Sequence, residues 1–210
     1  MPRLPDDEVA RLHRRADELL PLGSLLHDGG EVPPAWAEAL HALADRLGQS
    51  YPFADPQYLG QMLKPPHPVA WSAYAMAMLL NPNNHALDGG PATAHLEREA
   101  VADIARMLGY GEHLGHLTAS GTQANLEALW AARSLRPGEA IVSGANAHYT
   151  HARISEVVGA RHETVAQTAD GVLNVDALAA RLAAGGVGTV VATLGTTGLG
   201  RLDPVHRIAD

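Results

Sequence analysis

The pattern that most constrains the fold is a regular alternation of helical and extended segments in the second half of the chain. Apolar residues recur at helical spacing over residues 121–134, 148–158 and 175–184, and between them lie the extended runs "AIVS", residues 162–166 and "TVVATLG". This alternation is typical of βαβ units, in which helices cover both faces of parallel strands. The sequence therefore predicts an α/β fold with a mainly parallel sheet.

The first part of the chain carries helical patterns without extended runs between them. Helices are predicted over residues 6–20 and 34–47, and the second follows Pro33, a favourable helix start. The segment "PVAWSAYAMAMLL" is apolar on nearly every side, so it is predicted to be a helix buried either in its own domain or against a partner subunit. Residues 1–88 are therefore predicted to form a helical N-terminal arm, and residues 89–210 part of an α/β domain.

Two further signals mark the ends of helices. The amphipathic segment "HLEREAVADIARMLGY" predicts a helix with Gly109 at its carboxyl end. Near the end of the sequence, Asp203 is predicted to be the N-cap of a last helix and Pro204 its first residue. Only about two helical turns follow, and the predicted sheet has few strands. We therefore expect residues 89–210 to be the first part of a larger domain with an incomplete sheet.

Composition and charge exclude several classes of function. The formal net charge is -8 and basic residues do not cluster, so nucleic acid is not expected as a partner. The absence of cysteine excludes disulfides, thiolate catalysis and cysteine-ligated zinc. No apolar run approaches the length of a membrane span, so a cytoplasmic protein without membrane contact is predicted. Lys64 is the only lysine, which leaves one candidate for any chemistry that needs this residue.

A hydroxyl-rich turn, Ser120-Gly121-Thr122, stands directly before the alanine-rich helix pattern of residues 121–134. The free backbone N–H groups and the dipole of a helix start favour an anion such as a phosphate. An ordinary Ser/Thr helix cap is the simpler explanation of the same residues. Considered alone, the turn therefore indicates either a cap or a phosphate site.

Polar residues also follow two of the predicted strands. His148 comes shortly after "AIVS", where an imidazole can stack on a flat ligand, act as an acid or base, or serve only as a buried structural side chain. Thr196 and Thr197 follow "TVVATLG", at the strand end where open α/β sheets bind ligands, although a simple glycine-rich loop is the alternative. His148 and His151 have no carboxylate at ligand spacing, so no metal site is predicted. The dinucleotide fingerprint and the P-loop motif are absent.

Together these stretches resemble the group II pyridoxal-5'-phosphate-dependent amino-acid decarboxylases, the relatives of aromatic-amino-acid, tyrosine and glutamate decarboxylases. The resemblance covers roughly residues 50–210, about three quarters of the chain. It rests on "NPNNHALDGGPATAHLEREAV", "HLTASGTQANLEALWAAR", "ANAHYTHARISEVVG" and "ATLGTTGLGRLDPV", which occur in the family's order. The resemblance implies the aspartate-aminotransferase-like, type I fold of pyridoxal-phosphate enzymes and the decarboxylation of an L-amino acid to an amine and carbon dioxide.

The resemblance also implies roles for individual residues. Ser120, Gly121 and Thr122 correspond to the loop that holds the cofactor phosphate, although Gln123 stands where the family usually has glutamate. His148 corresponds to the catalytic histidine that stacks on the pyridine ring and is often assigned to protonation. Thr197 corresponds to a threonine beside the cofactor.

Other parts of the family's machinery are not recognisable in the sequence. The lysine that bonds to the cofactor and the aspartate that pairs with the ring nitrogen are expected beyond Asp210, because Lys64 precedes the phosphate loop and lies in the extended segment "LKPPHP". The chain is therefore expected to be inactive alone. The resemblance further implies a homodimer formed through the N-terminal arm.

Alternative functions remain open from the sequence. They are another type I pyridoxal-phosphate lyase or transferase, and a non-catalytic split or truncated module that binds a partner chain. The substrate amino acid is not specified, although "NLEALWAAR" resembles bacterial tyrosine decarboxylases and thereby favours an aromatic one.

Overall fold

A computed structural model describes Arg11, residues 34–60 and residues 64–210. The helix predicted over residues 6–20 lies almost entirely outside these described residues. Two compact units are present, divided between Ala100 and Val101. Within the described ranges no helix has the length and apolar character needed to cross a membrane.

The first unit contains helices α1 (Pro34–Leu47) and α2 (Pro68–Leu80) and the start of α3 (Pro91–Met107). The first two confirm the predicted helices, and α2 begins at a proline whose missing N–H costs nothing in the first turn. Trp71 and Tyr74 of α2 are more than half exposed in the isolated chain. Large aromatic side chains of α2 are therefore exposed in this chain, and the choice between burial in its own domain and burial against a partner subunit stays a prediction.

The second unit continues α3 and then alternates helices with strands. In chain order the elements are α4 (Gly121–Leu135), β1 (Ala140–Gly144), α5 (Thr150–Val157), β2 (His162–Val165), α6 (Val175–Ala183), β3 (Val187–Val191) and α7 (Val205–Ala209). The three strands form a parallel sheet in the order β2-β1-β3. The predicted α/β fold with a small parallel sheet is therefore confirmed.

Helices cover both faces of the sheet, as predicted. On one face Leu129 of α4 and Ile154 of α5 pack with Ile141 of β1. On the other face Leu178 of α6 packs with Val142, the next residue of β1. Because neighbouring residues of a strand point to opposite faces, the central strand is buried on both sides.

Two predicted boundaries were wrong. The strand predicted as "TVVATLG" ends at Val191, because Thr193 donates its backbone N–H to Asp203 rather than to a neighbouring strand. The last helix begins after Pro204 and has no side-chain cap, because both carboxylate oxygens of Asp203 accept from other loops. Asp203 is therefore not an N-cap, as the sequence had predicted, and Pro204 stands at the N-cap position instead of being the first helical residue.

Candidate functional site

Three loops meet the same edge of the sheet. His148 follows the carboxyl end of β1 and Thr197 follows that of β3, and parallel strands end at a common edge. Helix α4 joins the beginning of β1 through four residues, 136–139, and packs along it through Leu129, so α4 runs antiparallel to the strand. The start of α4, with Ser120, therefore lies at the edge that carries the other two loops.

The start of α4 is capped by Ser120. Its backbone is extended, with φ -164° and ψ 162°, and its Oγ accepts a 3.2 Å hydrogen bond from the N–H of Gln123. Within the described part of the chain, no protein group accepts from the N–H of Gly121 or Thr122, and both residues are exposed. A Cβ placed on Gly121 would meet no atom within 4 Å. Two N–H groups without an acceptor thus lie at the positive end of a 15-residue helix, in an exposed segment, which suits an anion.

A polar contact links α4 to the segment that precedes its start. His116 and Gln123 both hydrogen-bond the carboxylate of Glu127, the latter through its Nε2 at 3.1 Å. These two hydrogen bonds, followed by the charge of His116, hold the pKa of Glu127 below its ordinary value. The amide of Gln123, the residue that departs from the family's usual glutamate, therefore points along the helix toward Glu127.

His148 lies in the turn between β1 and α5. The turn is closed by a 3.0 Å hydrogen bond from the N–H of Ala147 to the carbonyl oxygen of Gly144. The imidazole is exposed, and its centroid lies 4.4 Å from that of the Tyr149 ring. Its Nδ1 lies 2.8 Å from the hydroxyl of Thr150. The histidine is therefore oriented by its neighbours while its ring stays open to a ligand.

The two threonines after β3 have different environments. Thr196 is buried, and its Oγ1 accepts a 3.0 Å hydrogen bond from the N–H of Arg201. Its backbone closes the same loop, donating to Arg201 and accepting from Gly200. Thr197 is exposed at the tip of this loop. Of the two, only Thr197 is available to a ligand, because Thr196 holds the loop together.

Near this edge, α5 and the strands β1 and β2 also carry polar side chains that are buried or half-buried, namely His151, Ser143 and His162. His151 is 8% exposed, and its Nδ1 has no hydrogen-bond partner among the described residues. His162 bonds the hydroxyl of Ser143 through Nε2 at 3.0 Å. Burial lowers the pKa of both histidines, and for His151 the positive charges of His148 and His162 lower it further. No group of three or more potential metal ligands occurs among residues 34–60 and 64–210.

Sequence reasoning missed the residues that support the site. Thr150 and Asp203 hold the loops that carry His148 and Thr197, and Asp203 was assigned to a helix cap instead. For Thr150 the spacing of two residues from His148 was a usable signal, because a hydroxyl at that spacing often bonds back to its neighbour. For Asp203 no local signal exists, since one of its partners lies 30 residues away.

The predicted site residues are brought to one edge without direct contact. Ser120, His148 and Thr197 come from three separate loops, and in the part of the chain that the structure describes no hydrogen bond joins any two of them.

Comparison with known proteins identifies relatives in sequence. No protein-family model matches the chain. Over 154 residues the chain is 34% identical to a probable L-aspartate decarboxylase of Halobacterium salinarum, an alignment that covers 72% of this chain and 42% of the relative. Over 80 residues it is 42% identical to the L-tyrosine decarboxylase of Levilactobacillus brevis, covering 38% of this chain and 13% of that protein. The chain thus spans less than half the length of these curated relatives.

Solved structures show the same fold. The crystal structure of mouse CSAD matches with a TM-score of 0.76 at 22% identity, covering 94% of this chain and 44% of that chain. Oryza sativa TDC with PLP and tryptamine matches with a TM-score of 0.73 at 18% identity, covering 100% of this chain and 53% of that chain. These likenesses confirm the predicted type I fold. With the sequence relatives they confirm that the chain resembles the group II pyridoxal-5'-phosphate-dependent amino-acid decarboxylases.

Proposed function

We propose that the chain binds pyridoxal 5'-phosphate at the carboxyl edge of its sheet and serves the decarboxylation of an L-amino acid to its amine and carbon dioxide. The observation that carries this proposal is the start of α4. Its two free N–H groups, at Gly121 and Thr122, stand at the same sheet edge as His148. An anion site beside an exposed imidazole suits a ligand that has both a phosphate and a flat ring.

Each residue of the site has a proposed role in binding. The N–H groups of Gly121 and Thr122 and the hydroxyl of Thr122 would hold the phosphate. The hydroxyl of Ser120 already accepts from Gln123, so it would fix the geometry of the helix start. His148 would stack on the ring, and Thr197 would contact the ring from the loop after β3. When bound, the cofactor supplies an electron sink for the charge left on Cα as carbon dioxide departs.

Lys64 is not proposed to bond to the cofactor. Its Nζ donates to the carbonyl oxygens of Asp55 and Tyr58, both at 3.2 Å, and lies 5.5 Å from the centroid of the Tyr58 ring. A lysine used in covalent catalysis must have its amine free to reach the cofactor, whereas the amine of Lys64 is held by these two carbonyl oxygens. We therefore propose that a lysine outside these 210 residues fills this role and that the chain alone does not decarboxylate amino acids.

We propose a cytoplasmic protein whose residues 1–88 form an arm that contacts a second copy of the chain. The exposed Trp71 and Tyr74 of α2 favour such a contact, because large apolar patches are uncommon on monomers. The relatives are named for L-aspartate and for L-tyrosine, so both an acidic and an aromatic amino acid are candidate substrates.

Titration of the purified chain with pyridoxal 5'-phosphate, followed by absorbance and tryptophan fluorescence, tests the binding proposal. We expect saturable binding that falls at least several-fold in Thr122→Ala and in His148→Gln. Ser134→Ala is the matched control, because Ser134 lies at the opposite end of α4 and bonds only within the helix. Equal affinity in all four proteins would overturn the proposed site.

Borohydride reduction of the same mixtures tests the role of Lys64. We expect no pyridoxyl group on Lys64 after proteolysis and mass spectrometry, and no amine from a panel of L-amino acids that includes aspartate and tyrosine. A stoichiometric adduct at Lys64 together with amine production would contradict the proposal. Carbon dioxide release by the complete protein with the same panel would identify the substrate.

A further inference from the structure

The hydroxyl of Thr150 is directed at the histidine of the site. Thr150 is the first residue of α5, is only 5% exposed, and has its Oγ1 2.8 Å from Nδ1 of His148. Its backbone N also lies 3.4 Å from the same Nδ1, in a geometry that makes the N–H a donor. Two groups of one buried residue therefore converge on one nitrogen of the imidazole.

The direction of these hydrogen bonds follows from the donors. A backbone N–H can only donate, so Nδ1 must accept, and the rotatable hydroxyl then donates to the same lone pair. A proton on Nδ1 would oppose the N–H of Thr150, for which the described part of the chain offers no other acceptor. A neutral imidazole with its lone pair on Nδ1 carries its hydrogen on Nε2.

The position of Thr150 is itself fixed by packing. Ile154, one turn later in α5, is buried against Leu129 and Ile141. The N–H of His151 donates to the carbonyl oxygen of His148 at 3.1 Å, which closes the turn that joins the two residues. A buried hydroxyl without a partner is costly, so Thr150 cannot turn away from His148 without loss.

We propose that Thr150 is a positioning residue that fixes His148 as the Nε2–H tautomer. His148 then presents a hydrogen-bond donor, rather than a lone pair, to an acceptor oxygen of a ligand at this sheet edge. The neutral ring is therefore not a base at Nε2. The significance of this donor for catalysis rests on the function proposed above, whereas the tautomer itself is a property of the chain without any ligand.

Long-range proton–nitrogen NMR correlation of the ¹⁵N-labelled chain, without cofactor and at about pH 8 where histidine is neutral, tests the proposal. The signals of His148 are assigned by their loss in His148→Gln. We expect hydrogen only on Nε2 in the wild-type chain, with Nδ1 shifted as a hydrogen-bond acceptor. In Thr150→Val, which keeps the shape of the side chain, we expect a measurable Nδ1–H form and a loss of the acceptor shift. Thr150→Ser should restore the wild-type pattern.

Thr168→Val is the matched control, since it removes a buried hydroxyl that has no partner among the described residues. It should leave the signals of His148 unchanged. Hydrogen on Nδ1 as the main wild-type form would overturn the proposal, as would identical His148 nitrogen shifts in the wild-type and Thr150→Val chains. If Thr150→Val fails to fold, the wild-type tautomer and the Thr150→Ser spectrum still decide whether Thr150 fixes the tautomer of His148. Because no cofactor is present, a failure to bind pyridoxal 5'-phosphate would leave this result intact.

Discussion

Asp203 and Leu173, thirty residues apart in the chain, are joined by a 2.8 Å hydrogen bond from the backbone N–H of Leu173 to Oδ1 of Asp203. The second oxygen of the same carboxylate accepts a 2.8 Å hydrogen bond from the N–H of Thr193. Asp203 is 5% exposed. One buried side chain thus ties the loop before α6 to the loop after β3, and the latter loop carries Thr197.

Asp203→Asn is expected to destabilise the second unit. An asparagine keeps one acceptor oxygen, but its amide nitrogen faces a backbone N–H and leaves that donor unsatisfied, at a cost of about 1–3 kcal/mol. Urea unfolding followed by circular dichroism measures the loss. Asp170→Asn, the same change at an exposed residue, should have little effect. Equal stability of the two variants would show that the carboxylate of Asp203 does not hold the loops.

Ser120→Ala is expected to weaken both the helix start and the binding of anions. Removing the oxygen that caps Gln123 should cost about 1 kcal/mol of stability. The looser helix start should also lower the affinity for pyridoxal 5'-phosphate. Ser134→Ala alters the same helix at its other end and should change neither thermal unfolding nor cofactor titration. A cofactor affinity unchanged in Ser120→Ala would remove Ser120 from the proposed site.

Leu178→Ala is expected to cost about 2–5 kcal/mol of unfolding free energy. Leu178 is 2% exposed and packs from α6 onto Val142 and Val165, so its truncation leaves a cavity on this face of the sheet. Leu182→Ala is the control in the same helix, because Leu182 is 40% exposed. Denaturant unfolding of both variants checks the difference. A similar loss in the two would mean that this face of the sheet is not tightly packed.

Stability is expected to fall when the pH drops through the range just below 6.5. The pKa values of His151 and His162 are lowered from 6.5 chiefly by burial, so the folded state binds fewer protons than the unfolded state there. The contribution of these two neutral histidines to stability is therefore fully present above pH 6.5, and it is lost as the pH falls through their lowered pKa values. Urea midpoints measured from about pH 7.5 down to about pH 5 should show this decline.

His151→Gln tests the source of this decline. It should flatten the dependence on pH, because one of the two buried imidazoles no longer takes up a proton on unfolding. His206→Gln, at an exposed position, should leave the slope as it is in the wild-type chain. A slope unaffected by His151→Gln would assign the decline to other groups.

Local sequence patterns were enough to predict most of the helices and strands, because these elements depend on the spacing of nearby apolar residues. The segment at residues 34–47 and the helix after Ser120 were predicted within a residue of their observed bounds. The end of β3 was misplaced because "TVVATLG" is rich in apolar and β-branched residues on both sides of Val191, so nothing local signals the departure after that residue. That departure depends on Asp203, which comes later in the chain and reaches Thr193 only in the folded protein.

The sequence by itself determined the order of the elements, the parallel sheet and the resemblance to the decarboxylases, because periodicity and motif order depend on consecutive residues. It also marked Ser120, Gly121, Thr122, His148 and Thr197 as candidates. Only the tertiary structure decided which neighbours support them. Thr150 turns one nitrogen of His148 inward, Thr196 holds the loop that exposes Thr197, and Asp203 joins two loops. These contacts depend on burial and on hydrogen-bond direction, and both arise only when distant segments pack against one sheet.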